Sequence, residues 1–288
     1  MSIMEPIDSA TAIGPVHLTI ADLQRSISFY EQHLGFRVHR RDVRTAWLGA
    51  GGADLLVLSR YGTAPKLRHA TGLYHFAILV PSRVDLARAL QRLIQAETVM
   101  QGFADHGVSE AIYLADPDGN GIEIYRDRPR ADWPLSDGRL RMGVEELDLD
   151  SLLSELSQPE EAPAELPLQT TVGHVHLHVS HLSDAEAFYV GVLGFDVMQR
   201  YGGSALFVSA GGYHHHIGLN TWAGVGAPPP PPGAIGLRYF VVRMAGEVAL
   251  ARVVERLRTA GIAVEDLDGG LMVHDPSRNA ILFSATGR

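Results

Sequence analysis

The stretch VHLTIADLQRSISFYEQHLGF at residues 16–36 returns as VHLHVSHLSDAEAFYVGVLGF at residues 175–195, with nine of the 21 aligned positions identical. Two further blocks follow in the same order. Gly72-Leu73 and Phe76 match Gly236-Leu237 and Phe240, and Leu86-Ala87-Arg88 matches Leu250-Ala251-Arg252. Asp116-Pro117, Asn120 and Ile122 then match Asp275-Pro276, Asn279 and Ile281. Such agreement in the same order, at offsets of 159 or 164 residues, marks a tandem duplication, which sets the architecture before any single residue is weighed.

Each half is itself doubled. A short β-branched strand (Val16 to Ile20, Tyr74 to Val80) leads into a helix, with Asp22 and Ser82 placed as caps. Leu23, Ile27, Tyr30 and Leu34 share one face of the first helix; Leu86, Leu90, Leu93 and Ile94 share one face of the second. Three strands separated by glycine or Asp-Pro turns come next: Phe36 to Arg40, Thr45 to Leu48 and Asp54 to Ser59, then Thr98 to Phe103, Ala111 to Leu114 and Gly121 to Tyr125. The unit is βαβββ and recurs four times. One strand before the helix and three after predict an α+β fold with curved mixed sheets, not a doubly wound parallel sheet. The expected boundaries are 1–128 for the first domain, 129–170 for an acidic, proline-containing connector with a short helix near Leu147 to Leu156, and 171–288 for the second. The five prolines Pro228 to Pro232 read as a stiff loop within the second domain.

Composition narrows the function. Of 288 residues, 46% are hydrophobic and 20% charged, with a formal net charge of −9. This balance describes a globular chain and argues against a nonspecific hold on nucleic acid or anionic membrane, which needs concentrated positive charge. Met1 to Ala10 shows no leader-like pattern and no apolar run is of bilayer length, so a cytoplasmic protein is expected. There is no cysteine. Thiolate metal sites and cysteine nucleophiles are excluded, and any metal must be held by nitrogen and oxygen.

Alternation along the strands selects such donors. Val16, Leu18 and Ile20 face the helix, leaving His17 toward the hollow of the sheet; Phe76 and Ile78 do the same for His75, and Ile122 and Ile124 for Glu123. Two imidazoles and a carboxylate are the donors of a facial triad that suits Fe(II), with Mn(II) as a near alternative. A lone strand histidine is more often a hydrogen-bonded core residue than a ligand. The recurrence of the pattern in successive units carries the assignment of His17, His75 and Glu123.

The motifs Val16-His17-Leu18, Tyr74-His75-Phe76-Ala77-Ile78 and Asp116-Pro117-Asp118-Gly119-Asn120-Gly121-Ile122-Glu123-Ile124-Tyr125 resemble those of the vicinal oxygen chelate superfamily, and most of all its two-domain catechol 2,3-dioxygenase-like members. The resemblance spans residues 15–128 and 173–286. It implies paired βαβββ units forming cups, a metal at His17, His75 and Glu123, and extradiol cleavage of a catechol or hydroquinone-type ring. It also implies His106 and Tyr113 as catalytic residues, with a small aromatic substrate and dioxygen as partners; a homo-oligomer is left open. The superfamily's proton-relay histidine, on the fourth strand of the unit giving the first ligand, is replaced here by Ala53 or Asp54, whereas His215 sits near that position in the second half. There Tyr239 and Leu282 replace His75 and Glu123, so the second domain reads as a degenerate duplicate. His176, His178 and His214-His215-His216 could form a separate nitrogen-rich site, or only shape the cup. A glyoxalase-like isomerase and a non-catalytic resistance-type binder are the competing functions; Leu56, at a place where glyoxalases carry a carboxylate, argues against the first.

Overall fold

The computed structural model describes residues 5–61, 64–156, 164–267 and 269–285. Residues 1–4 of the N-terminal stretch, 157–163 of the connector and Thr286 lie outside them.

All four units form. The first is β1 (Ala12–Thr19), α1 (Leu23–Gln32), β2 (Arg37–Arg41), β3 (Thr45–Gly49) and β4 (Asp54–Ser59). The second is β5 (Gly72–Leu79), α2 (Arg83–Gln95), β6 (Met100–Asp105), β7 (Ser109–Ala115) and β8 (Gly121–Asp127). The connector carries a small hairpin, β9 (Leu135–Ser136) and β10 (Arg139–Leu140), and the short helix α3 (Leu149–Leu153). The third unit is β11 (Thr171–His178), α4 (Leu182–Glu186) running on into a π turn at Ala187–Val192, then β12 (Asp196–Tyr201), β13 (Ala205–Ser209) and β14 (Ile217–Asn220). The fourth is β15 (Gly236–Met244), α5 (Glu247–Thr259), β16 (Glu265–Leu267), β17 (Gly270–His274) and β18 (Ala280–Ala285). Asp22 and Ser82 cap α1 and α2 by accepting from the backbone N–H of Arg25 and Asp85. Leu86, Leu90 and Leu93 are buried as expected, whereas Ile94, expected inward, is half exposed at the last turn of α2.

The strands form two curved mixed sheets of eight, and each draws one unit from each half. One runs β16-β17-β18-β15-β1-β4-β3-β2; the other runs β12-β13-β14-β11-β5-β8-β7-β6. The central antiparallel pairs are therefore β1 with β15 and β5 with β11. The first and second units of one half share no sheet. This crossed pairing decides where the site can be.

The identities between halves are partly explained by a buried clamp. In the Asp116-Pro117-Asp118-Gly119-Asn120 turn, the Asp116 carboxylate accepts from the backbone N–H of Asp118 and Asn120, the Asn120 side chain and the Tyr30 hydroxyl of α1 at 2.9 Å. Asp275 does the same with Ser277, Asn279 and Tyr189. The clamp ties the helix of one unit to the last turn of the next and holds β8 in place. Replacing Asp116 by alanine orphans several buried donors, so a loss of about 2–4 kcal/mol in unfolding free energy is expected by denaturant titration. An unchanged midpoint would show that the turn is held by other means.

Candidate metal centre and cavity

Three buried side chains meet in the hollow of the second sheet: His75 on β5, Glu123 on β8 and His174 on β11, with their ligand atoms all within 4.8 Å of one another. His75 Nε2 lies 3.1 Å and His174 Nε2 3.2 Å from Glu123 Oε2. Glu123 projects into the hollow because Ile122 and Ile124 on either side of it are packed into the core. Two of the three residues are those expected from sequence.

His17 is not among them. It lies on β1 in the other sheet, opposite Tyr239, with its Nε2 2.6 Å from Ser59 Oγ and its ring edge-on to Tyr239 at 4.7 Å. The expectation failed because it assumed that the two units of one half share a cup. The strand facing His75 is instead β11. The complete N-terminal triad does not form, and the C-terminal half is more than a supporting duplicate, since it brings His174.

His174 is set by an irregularity in the ladder. The β11–β5 register shifts between Val172 and His174, with Gly173 as the extra residue. A Cβ at Gly173 would stand 1.7 Å from the Tyr125 hydroxyl, so only glycine fits beneath that ring. In the first unit the matching position is Pro15, two residues before His17 just as His174 is two before His176. That comparison within the repeat was the signal that could have exposed the third donor. His176 takes the place equivalent to His17; it faces His75 in the ladder with ring centroids 5.0 Å apart and lines the cavity.

The electrostatics suit a divalent cation. Burial raises the Glu123 carboxyl, but the adjacent His174 and His75 outweigh it and hold the group well below the usual carboxylate range. Burial pushes His174 down to about 4, so its imidazole is neutral with a lone pair to offer. His75 Nε2, although close to Glu123 Oε2, and His174 Nδ1 are buried without a well-formed hydrogen bond. Unpartnered nitrogens beside an ionised, buried carboxylate are costly unless something shares them. The donor set fits a metal ion held by nitrogen and oxygen.

A cavity of about 390 Å³ opens beside this cluster. Tyr113, opposite Glu123 on β7, reaches His106 with its hydroxyl 2.7 Å from Nε2, while His106 Nδ1 lies 2.7 Å from the Gly143 carbonyl. The carbonyl can only accept, so Nδ1 donates to it, Nε2 accepts, and the Tyr113 hydroxyl is the donor. Burial, reinforced by the Glu123 charge, keeps the Tyr113 phenol protonated well above its ordinary range. Gly143 belongs to the connector, whose Met142 backbone is bound at both N–H and C=O by the Gln199 side chain of β12. The connector is thus a wall of the cavity as well as a link.

His215 lines the same cavity, its ring 4.0 Å from that of His174. Its Nδ1 lies 2.8 Å from His214 Nδ1, and His214 Nε2 lies 2.8 Å from Asp127 Oδ1. Because the carboxylate accepts from His214 Nε2, His214 Nδ1 must accept from His215 Nδ1. The Nε2 of His215 is then left with a lone pair. His178 and His216 are engaged elsewhere, with Asn220 and Ser209. The histidine-rich hairpin therefore joins the His75 cluster through His214 and His215, and among the described residues it forms no second metal-holding group.

Two buried histidines outside the His75–Glu123–His174 group should make the fold acid-sensitive. His216 Nδ1 accepts from the Ala210 N–H, and burial together with His214 and His174 holds its pKa at about 4. His17 is held at about 3 by burial and by Arg238. Both lie below the ordinary value of 6.5, so between pH 6.5 and 4 the unfolded chain binds more protons than the folded one. Stability is fully present above pH 6.5 and declines on acidification, by on the order of several kcal/mol across the window. Denaturant midpoints measured at pH 7.5 and pH 5 should differ accordingly; equal midpoints would contradict the buried neutral state.

The chain matches the model of the Glyoxalase/Bleomycin resistance protein/Dioxygenase superfamily at residues 12–124 and again at 171–283. It belongs to that superfamily. Within the superfamily it is 48% identical over 284 residues to the catechol-2,3-dioxygenase of Bacillus subtilis strain 168, covering 97% of this chain and 99% of that one. The solved glyoxalase I from Zea mays superposes with a TM-score of 0.57 at 15% identity, over 95% of this chain and 92% of that chain. A Bacillus subtilis structure superposes at 0.65 with 13% identity, over 96% and 86%. Both structural likenesses concern the superfamily fold. The chain is a full-length homologue of an oxidoreductase. Among the described residues, no helix is long and apolar enough to cross a membrane.

Proposed function

We propose that this protein is an extradiol dioxygenase that opens a catechol-type ring beside its two hydroxyls, using Fe(II), or Mn(II) in its place, held by His75, Glu123 and His174. The convergence of these three donors next to a substrate-sized cavity is the observation that carries the reading, and near half identity to a catechol-2,3-dioxygenase along the whole chain supports it. The two-histidine, one-carboxylate donor set is that of non-haem Fe(II) oxygenases. When bound, the ion supplies Lewis acidity toward the diol oxygens and a template for diol and dioxygen.

The chain's own groups do the rest. His215 Nε2, left unprotonated by the Asp127–His214 array, takes a proton from one hydroxyl of the diol and later returns it. Tyr113 gives its hydrogen to His106, so its oxygen is free to accept a hydrogen bond from the other hydroxyl and orient the ring. Phe103, Val108 and Phe207 exclude water from the ring face. Dioxygen and a small aromatic diol are the reactants. Anaerobic loading with Fe(II) and then catechol in air should give a yellow ring-opened product with one O₂ consumed per ring. Metal uptake without oxygen consumption would overturn the proposal.

A further inference from the structure

We infer, on the footing of that dioxygenase reading, that the cavity selects an uncharged catechol bearing an apolar substituent and rejects catechols that carry a carboxylate. Its volume of about 390 Å³ is in the range that encloses drug-sized molecules, more than a bare six-membered ring with two hydroxyls fills. Apart from Glu123, the ionisable side chains of the lining are histidines and tyrosines. Glu123 is the one acidic residue among the described residues lining the cavity, and lysine, arginine and aspartate are absent from that lining. The apolar and aromatic lining includes Phe103, Met142, Val144, Phe207 and Trp222, with Phe207 and Trp222 packed beside His176.

The polar residues in that wall offer little to an anion. Gln199 spends both ends of its amide on the Met142 backbone. Ser109 is buried on β7, while Gln101, Tyr74 and Tyr201 stand exposed and offer an anion only neutral donors. Trp222 packs edge-on to Tyr74 at 5.1 Å and extends the aromatic surface outward. A carboxylate placed against this wall would lose its water and gain no guanidinium or ammonium partner. An alkyl or aryl group placed there replaces water at an apolar surface. Phe103, Met142, Val144 and Trp222 are thus the specificity-determining residues.

The test compares catechol, 4-propylcatechol and 3,4-dihydroxyphenylacetate on the metal-loaded protein at pH 7.5. The expected kcat/KM for 4-propylcatechol is at least about 100-fold above that for the acid, and at or above that for catechol. Calorimetric titration of the same three compounds under anaerobic conditions should give the same order of affinity. In Val144→Arg, and in Gln101→Arg, the acid should gain at least about tenfold relative to the propyl compound, since either change supplies the missing cation at an exposed position. Equal use of the acid and the propyl compound, or no gain for the acid in either arginine variant, would overturn the inference. If catechol is not cleaved at all, the dioxygenase reading fails, while the calorimetric order still decides the preference for a neutral ligand.

Discussion

His174→Ala should abolish metal retention and ring cleavage, whereas His17→Ala should leave both in place. His174 supplies one of three donors, and no fourth side chain is grouped with them among the described residues. Removing it leaves two ligands and an anionic Glu123 with less to balance it. The loss of metal affinity should exceed the roughly 10–100-fold that changes in outer-sphere partners produce. His17 stands in the other sheet against Ser59 and Tyr239, so its loss should cost some stability through the buried contact and nothing in metal content. Elemental analysis of the two purified variants, each checked by its melting curve, distinguishes them. Metal retained in His174→Ala, or lost in a folded His17→Ala, would place the centre elsewhere.

His215→Ala should keep its metal and lose turnover. General acid–base groups contribute typically about 10²- to 10⁴-fold, and a fall of that size in kcat with little change in KM is expected. The array behind it grades the effect. Asp127→Ala removes the acceptor that fixes His214, so the hydrogen on His215 is no longer directed to Nδ1 and part of the loss should follow. Asp127→Asn keeps an acceptor oxygen there and should recover much of the activity. A Tyr213→Phe change removes only one hydroxyl bonded to Asp127 and should have a smaller effect. If His215→Ala turns over substrate at the normal rate, proton transfer belongs to another group, with the Tyr113–His106 pair next in line.

Much of this architecture was legible in the chain. The repeated blocks announced the duplication, alternation placed His75 and Glu123 in a hollow, and Asp22 and Ser82 marked their helices, because all of these depend on neighbours within one strand or one turn. The third donor was not legible by the same means. Its partner strand is about a hundred residues away, and nothing local to β5 says whether β1 or β11 will pair with it. Gly173 also adds a residue to β11 and resets the alternation of faces there, so faces counted from a regular strand do not transfer across it. The connector's composition marks only a link; that Met142, Gly143 and Val144 line the cavity depends on where the third unit places Gln199. His106 and Tyr113, singled out by the resemblance, lie in hydrogen-bond contact, and His215 belongs to the unit that also carries His174.

Crossed pairing of the units divides the proposed centre between two stretches of polypeptide. A cut in the connector would leave His75 and Glu123 on one fragment and His174 with His215 on the other. Neither piece could turn over substrate alone, and activity would return only when the two reassociate edge to edge through β5 and β11. The chain is a natural candidate for a split reporter, in which colour from an opened ring records the meeting of its halves.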